Sequence, residues 1–273
     1  MTHSLPSPMA IRGSQRLLIP AYFRPTGTRW QDTCNAINNH LLTAVLVMNP
    51  DSGPGTAHHE MYSNYLSAMD ACQGMRQTVI GYVPTDYGDG DIPLGSAKAN
   101  VNTYYDLFPR IRGIFFDEMS NDPEMKGYYR ELYTHVKAKS STALVVGNAG
   151  IPATHGGPLN DGAWQVTAPI VADVIVVFEG PYERIPTDPA DRPQYKDWFP
   201  PNWVSSRPSG IFAHIVYESP NATTTRSICI ASQQKKAGWI YVTEDGRPNP
   251  WDSGPDETLI ASPTLAQRSV IKG

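Results

Sequence analysis

Eight short apolar runs, whose starts lie roughly 30 residues apart, set the main constraint on the fold of this chain. Each run is rich in Val, Ile or aromatic residues and is followed by a stretch with helical spacing and then by Gly or Pro. Nearly continuous apolarity is typical of parallel strands buried on both faces, and the spacing matches a strand plus a crossover helix. The sequence therefore predicts eight successive βα units. The predicted strands are Leu17–Tyr22, Ala44–Asn49, Thr78–Val83, Gly113–Asp117, Ala143–Asn148, Val174–Glu179, Gly210–Tyr217 and Gly238–Thr243.

Five of the intervening helices are predicted from the helical spacing of apolar residues. They are Trp30–His40, Glu60–Gln73, Lys98–Leu107, Pro123–Lys139 and Thr223–Lys235. Eight strands in about 250 residues fit a single (β/α)8 TIM-type barrel. A doubly wound open sheet usually has fewer strands and a phosphate-binding glycine loop, which is missing after the first run. We therefore predict an α/β protein with a flexible N-terminal segment, residues 1–15, and one barrel domain, residues 16–273.

The charge balance and the length of the apolar runs exclude two classes of protein. The 22 basic and 26 acidic residues give a net charge of −4 without a basic cluster, so we expect no nucleic-acid partner. No apolar run approaches the roughly 20 residues that cross a bilayer, so we expect no membrane span. Residues 1–16 lack the apolar segment of a signal peptide, which predicts a cytoplasmic location for the sequence as written.

Two of the apolar runs end in carboxylates. Ile114–Phe116 leads directly into Asp117 and Glu118, and Val174–Phe178 leads into Glu179. Catalytic residues of (β/α)8 barrels lie at the C-terminal ends of the strands, so we expect these three acids to meet at one mouth of the barrel. Adjacent strand residues point to opposite faces. Asp117 and Glu118 can therefore both reach the mouth only if the strand ends or bulges between them.

Paired carboxylates favour glycoside hydrolysis, in which one acid protonates the leaving oxygen and the other acts as nucleophile, base or stabiliser. An acid that ends a strand can instead cap the next helix, an alternative that is weaker for two such strands than for one. Carboxylates also bind metals, but no histidine stands at ligand spacing near either run. Cys34, Cys72 and Cys229 are too scattered for a zinc site and allow at most one disulfide. We therefore predict no metal and no other cofactor.

Polar side chains at the ends of the predicted strands are suited to hydrogen-bonding sugar hydroxyls, although each of them could instead cap local backbone. The candidates for substrate binding are Tyr22, Asn49, Tyr82, Asn148, Tyr217 and Glu244. His214 lies within an apolar strand and is left out of the catalytic set, because a single histidine in a core is more often structural.

A long Pro-rich connection, residues 182–207, begins just after Glu179 and carries five aromatic residues. Pyranose faces present C–H groups that pack on aromatic rings. Trp198 and Trp203 are therefore the candidates for a wall that stacks on sugars. The alternative is that the rings hold the loop against the barrel in place of a helix.

Taken in order, these motifs resemble the spherulin-4-like family of glycoside hydrolases. Besides the two acidic runs, the resemblance rests on the segments Ile19–Tyr22, Val47–Pro50 with Gly53–Gly55, Gly81–Gly88 and Asn148–Gly150. It implies a (β/α)8 barrel and, as in fungal members, endo-hydrolysis of α-1,4-linked galactosamine or N-acetylgalactosamine polymers. It also implies that Asp117, Glu118 and Glu179 are the essential acids, and it suggests an extracellular location.

We assign Asp117 as the nucleophile or as the stabiliser of a substrate acetamido group, Glu179 as the general acid/base, and Glu118 as a supporting residue. Glu118 and Glu179 could exchange these roles. The expected partner is a polysaccharide or an oligosaccharide, and we expect a monomer. Two alternatives are a non-catalytic carbohydrate-binding matrix protein and a metal-assisted polysaccharide deacetylase or hydrolase.

Overall fold

The computed structural model describes residues 15–72, 76–88, 90–151, 163–183, 193–255 and 260–261. Eight parallel strands pair in sequence order and close into a barrel, because the last strand pairs with the first. The strands are β1 (Arg16–Ala21), β2 (Ala44–Met48), β3 (Gln77–Pro84), β4 (Gly113–Asp117), β5 (Leu144–Asn148), β6 (Val174–Pro181), β7 (Phe212–Tyr217) and β8 (Trp239–Val242). Each coincides with a predicted strand, so the predicted (β/α)8 barrel is confirmed.

The predicted helices are also present, with ends that differ by a few residues. The helices are α1 (Arg29–Asn39), α2 (Tyr62–Ala71), α3 (Leu94–Leu107), α4 (Lys126–Lys139), α5 (Asn202–Ser205) and α6 (Ala222–Gln234). The helix predicted from Pro123 begins with a short 3-10 turn, Pro123–Met125, in which the Asp122 side chain accepts a hydrogen bond from the Glu124 N–H. In the part of the chain that the structure describes, no helix is long and apolar enough to cross a membrane.

Gln15, the last residue of the predicted flexible segment, contacts the barrel. Gln15 is buried, and its Nε2 donates hydrogen bonds to Ser232 Oγ at 2.8 Å and to Ala237 O at 3.0 Å. Both partners lie just before β8, at the end of the barrel where the strands begin. Residues 1–14 and 262–273 lie outside the described residues, so the other limits of the predicted domain stay predictions.

The connection between β6 and β7 packs aromatic rings on the barrel wall where other connections place a helix. In its described part, which leaves out residues 184–192, its helical segments are the four-residue α5 and a 3-10 turn, Ser209–Ile211. The rings of Tyr195 and Trp198 lie 4.7 and 5.0 Å from that of Phe178 on β6. Lys235, at the C-terminal end of α6, lies over both rings. The Lys235 ammonium donates to Tyr195 O, and the Tyr195 N–H donates to Pro181 O at the end of β6 at 2.9 Å, so this cluster lies on the outer wall of the barrel between β6 and α6.

The structure places the rings of Trp198 and Trp203 in packing contacts of this connection, and the stacking wall stays a prediction. Trp198 is only 7% exposed and packs in the cluster just described. Trp203 contacts Phe212, the first residue of β7. These contacts agree with the alternative in which the rings hold the loop against the barrel.

His214 belongs to the same aromatic cluster on the outer side of the barrel. The Tyr195 hydroxyl lies 2.8 Å from His214 Nδ1, and the rings of Phe178 and Trp198 surround the imidazole. Burial lowers the pKa of His214 to about 3, so the imidazole is neutral at physiological pH. This environment fits a structural histidine.

A disulfide bond joins two neighbouring helices on the outside of the barrel. Cys34 lies on α1, and Cys72 directly follows α2; the two Cα atoms are 5.3 Å apart and 38 residues apart in sequence. Cys229 is free and buried. Of the three cysteines, two thus form the single bridge that the sequence allows.

Replacing both Cys34 and Cys72 by Ala is expected to lower the free energy of unfolding by about 3 kcal/mol, because the unbridged chain gains entropy when it unfolds. Denaturant unfolding with and without a thiol reductant measures this loss. Cys229→Ala is the control: it keeps the bridge and should keep its sensitivity to the reductant. Equal stability of the native protein and the double variant under oxidising conditions would contradict the expectation.

Candidate active site

Strand β4 ends at Asp117, and the backbone turns at Glu118. This turn is the condition under which both carboxylates can reach the mouth of the barrel. The pairing of β4 with β3 stops at Asp117, and Glu118 has a φ of 53°, in the left-handed region. Burial raises the pKa of Asp117 and of Tyr82, and the charge of Glu118 raises both further. The charge of Glu118 thus acts on both side chains.

One amide group joins the acids of two strands. Asn148 ends β5, between β4 and β6, and its Nδ2 donates to Asp117 Oδ1 at 2.8 Å and to Glu179 Oε2 at 2.6 Å. Because both oxygens accept from one nitrogen, they lie within about 5.5 Å of each other, which is compatible with the short carboxyl separation in retaining glycosidases. Asn148 Oδ1 accepts from the Gly150 N–H at 3.0 Å, which fixes the orientation of the amide.

Two tyrosines lie beside these acids. Tyr22 follows β1 and Tyr82 lies on β3, with their rings in edge-to-face contact at 5.5 Å. A hydrogen bond links the Tyr82 hydroxyl to the Asp117 carboxylate. Burial raises the pKa of Tyr22 well above its ordinary value, and the charges of Asp117 and Glu179 contribute to the rise. Both phenols therefore stay protonated and can donate hydrogen bonds.

The Asp117 carboxylate is half-buried and held by several donors. Burial raises the pKa of Asp117, whereas hydrogen bonds from the Glu118 N–H, Tyr82 and Asn148 favour the ionised form and oppose the rise. Asp117 and Glu179 are both half-buried. Asp117 is thus a carboxylate whose orientation is fixed by several donors.

The remaining predicted substrate-binding residues differ from these in their hydrogen bonds and in their exposure. Asn49 Oδ1 accepts from the Gly53 N–H at 3.0 Å, so this side chain caps its own loop, as in the capping alternative. Glu244 is exposed in the loop after β8. Tyr217, at the end of β7, is 1% exposed, and its hydroxyl has no hydrogen-bond partner among the described residues.

Trp251 is a residue at the mouth that the sequence reasoning missed. Its ring is half-buried and lies 5.9 Å from the rings of Tyr217 and Tyr241. The strand register places Glu179 beside Ile215 and Ile215 beside Tyr241, so Tyr241 lies in the same inner row as Glu179. Its position in the sequence, shortly after the last predicted strand, could have indicated this role, since the loops that follow the strands of a barrel carry the active site.

Comparisons with known proteins agree with this architecture. The family model described as Spherulation-specific family 4 matches residues 16–258. Spherulin-4 of Physarum polycephalum is 26% identical over 232 residues, which are 84% of this chain and 63% of that protein. The chain thus spans less than two thirds of the length of this curated relative.

Solved structures share the fold at low sequence identity. Aspergillus clavatus Sph3, crystallised in complex with GalNAc, has a TM-score of 0.68 and 20% identity, with 93% of this chain and 98% of that chain covered. A GH18 chitinase from Pseudoalteromonas aurantia has a TM-score of 0.56 and 12% identity, with 92% and 99% covered. The spore cortex-lytic enzyme SleL of Bacillus megaterium has a TM-score of 0.54 and 10% identity, with 93% and 73% covered.

The family match covers most of the chain and includes the strands that carry the three acids. The resemblance seen in the sequence motifs is therefore confirmed: this chain belongs to the spherulin-4 family.

Proposed function

We propose that the protein is a retaining glycoside hydrolase that cleaves polysaccharides of 2-amino-2-deoxygalactose. The observation that carries this proposal is the Asn148 amide, which holds the carboxylates of Asp117 and Glu179 close together at the mouth of the barrel. At this separation a carboxylate can attack the anomeric carbon directly, without an intervening water. The family membership and the GalNAc complex of the fungal structural relative support an amino-sugar substrate.

The surroundings of the two acids suit different roles. Glu179 gives a proton to the glycosidic oxygen as the C1–O bond breaks, and Asp117 forms a bond to C1. Glu179 then takes a proton from water, the resulting hydroxide forms the new C1–O bond, and the Asp117 carboxylate is released. Asp117 is oriented by its several donors, as a nucleophile requires, and Glu179 is half-buried, so its carboxyl can exchange a proton with solvent.

An α linkage excludes the route in which the acetamido group acts as an internal nucleophile. In an α-linked N-acetylgalactosamine the C2 acetamido group is cis to the leaving oxygen, so its carbonyl cannot attack C1 from the opposite face. A carboxylate of the protein must then supply the nucleophile, which favours the first of the two roles considered for Asp117. The proposed substrate is therefore the α-1,4-linked polymer, with Glu118 supporting or binding near Asp117.

A panel of polysaccharides, assayed for new reducing ends, tests the proposed reaction. We expect cleavage of galactosamine- and N-acetylgalactosamine-containing polymers, with undiminished activity in a chelator. Among the described residues no three His, Cys, Asp or Glu side chains are arranged to hold a metal ion. Activity that is lost in the chelator and restored by one divalent ion would favour a metal-assisted hydrolase. Binding without new reducing ends would favour a carbohydrate-binding protein.

The site also predicts a shift in the pH profile of the Tyr82→Phe variant. Asp117 must be ionised to attack, so activity falls as the pH drops through its pKa. Removing the Tyr82 hydroxyl removes a donor to the ionised carboxylate, which raises the pKa of Asp117 further. The acidic limb of the kcat/KM profile should therefore move to higher pH. A limb that stays in place, or moves to lower pH, would contradict the role of Asp117.

We expect Trp251 to contact the sugar chain at the mouth. Trp251→Ala should weaken oligosaccharide binding by about 1 kcal/mol, the scale of one aromatic contact, with little change in the unfolding temperature. Calorimetric titration of the inactive Glu179→Gln variant measures this loss. Phe199→Ala is the matched control, because Phe199 is an exposed aromatic residue beside Lys235 of α6, on the outer wall of the barrel. Equal losses in both variants would contradict the assignment.

The disulfide between Cys34 and Cys72 supports a location outside the reducing cytosol. Together with the family membership, it favours a secreted or cell-wall-associated protein over the cytoplasmic location predicted from the N-terminal residues.

A further inference from the structure

The turn that follows β4 is held by a buried chain of hydrogen bonds from two other elements. Thr85 Oγ1, just after β3, lies 2.7 Å from Asp117 O and 3.0 Å from Glu118 O. Tyr129 Oη, on α4, lies 3.1 Å from Thr85 Oγ1 and accepts a hydrogen bond from the Ser120 N–H at 2.8 Å. Thr85 and Tyr129 are at most 1% exposed, so water does not compete for these groups.

The partners of these groups fix the direction of the hydrogen bonds. Carbonyl oxygens only accept, so the single proton of the Thr85 hydroxyl is used toward Asp117 O and Glu118 O. The hydrogen bond between the two hydroxyls must then be donated by Tyr129 to Thr85. The chain thus runs from the Ser120 N–H through the Tyr129 and Thr85 hydroxyls to the two carbonyls of the acidic pair.

The conformation held by this chain is unfavourable by itself. Glu118 has a φ of 53°, a region that a residue with a Cβ adopts at a cost in free energy. Such a conformation persists only where the surrounding structure imposes it. The Tyr87 N–H, which donates to Glu118 O at 2.8 Å, adds to the hold on this residue.

We propose that Tyr129 is a positioning residue, which acts through Thr85 to keep Glu118 left-handed and thereby places the carboxylates of Asp117 and Glu118 in one site. The catalytic part of this inference rests on the proposed function. The structural part does not, because the hold on residue 118 is measurable in the absence of any substrate.

Thermal unfolding of Glu118→Gly and Glu118→Ala tests the structural part. Glycine adopts a positive φ freely and alanine does not, so the Gly variant should unfold roughly 2–6 °C above the Ala variant. When Tyr129→Phe is added to both, residue 118 can relax, and this difference should fall to less than half. An undiminished difference, or an Ala variant as stable as the Gly variant, overturns the proposal. Should Tyr129→Phe fail to fold, Thr85→Val, which also breaks the chain, takes its place in the comparison.

Steady-state kinetics tests the catalytic part. Tyr129→Phe and Thr85→Val should each lower kcat at least about tenfold with KM changed less than about twofold, because a small displacement of a reacting group has a large effect on rate. Thr85→Ser keeps the hydroxyl and should retain most of the native kcat. Tyr128→Phe is the matched control, since its hydroxyl donates to Ile92 O outside this chain of hydrogen bonds. An unchanged kcat in folded Tyr129→Phe overturns the positioning role.

The two tests separate failure of this inference from failure of the proposed function. If the native protein cleaves no polysaccharide, the proposed function fails, and the unfolding comparison still decides whether Tyr129 holds residue 118. If the native protein is active and the Gly–Ala difference is the same in both backgrounds, the proposed function stands and the role of Tyr129 is overturned.

Discussion

Asp117→Asn is expected to lower kcat by at least about 10⁴-fold, because an amide cannot form the bond to C1 and the loss of a covalent nucleophile has effects of this size. The Asn side chain keeps the shape of the carboxylate and one acceptor oxygen for Tyr82 or Asn148. The fold should therefore survive, as checked by circular dichroism and thermal unfolding.

The matched control for this variant is Asp122→Asn. Asp122 lies five residues further along the same turn, and its side chain caps a short 3-10 helix, which Asn can also do. Its kcat should stay close to the native value. If folded Asp117→Asn retains more than about a hundredth of the native kcat, Asp117 is not the nucleophile.

Glu179→Gln is expected to lower turnover of the polysaccharide at least about a hundredfold, the usual contribution of a general acid/base. The loss in rate should be much smaller for the first step in the hydrolysis of an aryl glycoside, because a phenolate leaves without being protonated. Stopped-flow release of the phenol measures that step. Asp117→Asn should gain nothing from the better leaving group, since it lacks the attacking group.

Glu183→Gln is the control for this variant. Glu183 is an exposed acid of the same connection and pairs with Lys196 at 3.3 Å. Native turnover in Glu183→Gln, together with a loss in Glu179→Gln, ties the effect to the acid at the strand end. If Glu179→Gln hydrolyses the polysaccharide at the native rate, or if only Glu118→Gln shows rescue by the aryl substrate, the roles of Glu118 and Glu179 are exchanged.

The barrel could be predicted because its signal is local and repeated. Each strand is a nearly continuous apolar run. Residues such as Ile114–Phe116 and Val174–Phe178 are buried whichever strands lie beside them. The position of Asp117 and Glu179 follows from the same signal, because parallel strands bring their C-terminal ends to one mouth. Topology alone therefore brings these two acids together.

The geometry around the acids needed contacts between distant parts of the chain. The sequence shows that Asp117 and Glu118 can share the mouth only if the strand ends, but the hold on Glu118 comes from Thr85 and Tyr129. Neither residue carries a local signal for that role. Likewise, Trp198 packs on Phe178 and near Lys235 on the outer wall of the barrel, and this position could not be predicted from its spacing to Glu179.

The anomeric configuration of the first product tests the central claim most directly. An α-1,4-linked galactosamine or N-acetylgalactosamine oligosaccharide is incubated with the native protein in a chelator, and the anomeric protons are followed by NMR before mutarotation. With Asp117 and Glu179 as close as the Asn148 amide holds them, the first product should be the α-anomer. A β-anomer as the first product would contradict the account. So would the absence of new reducing ends whose formation depends on Asp117.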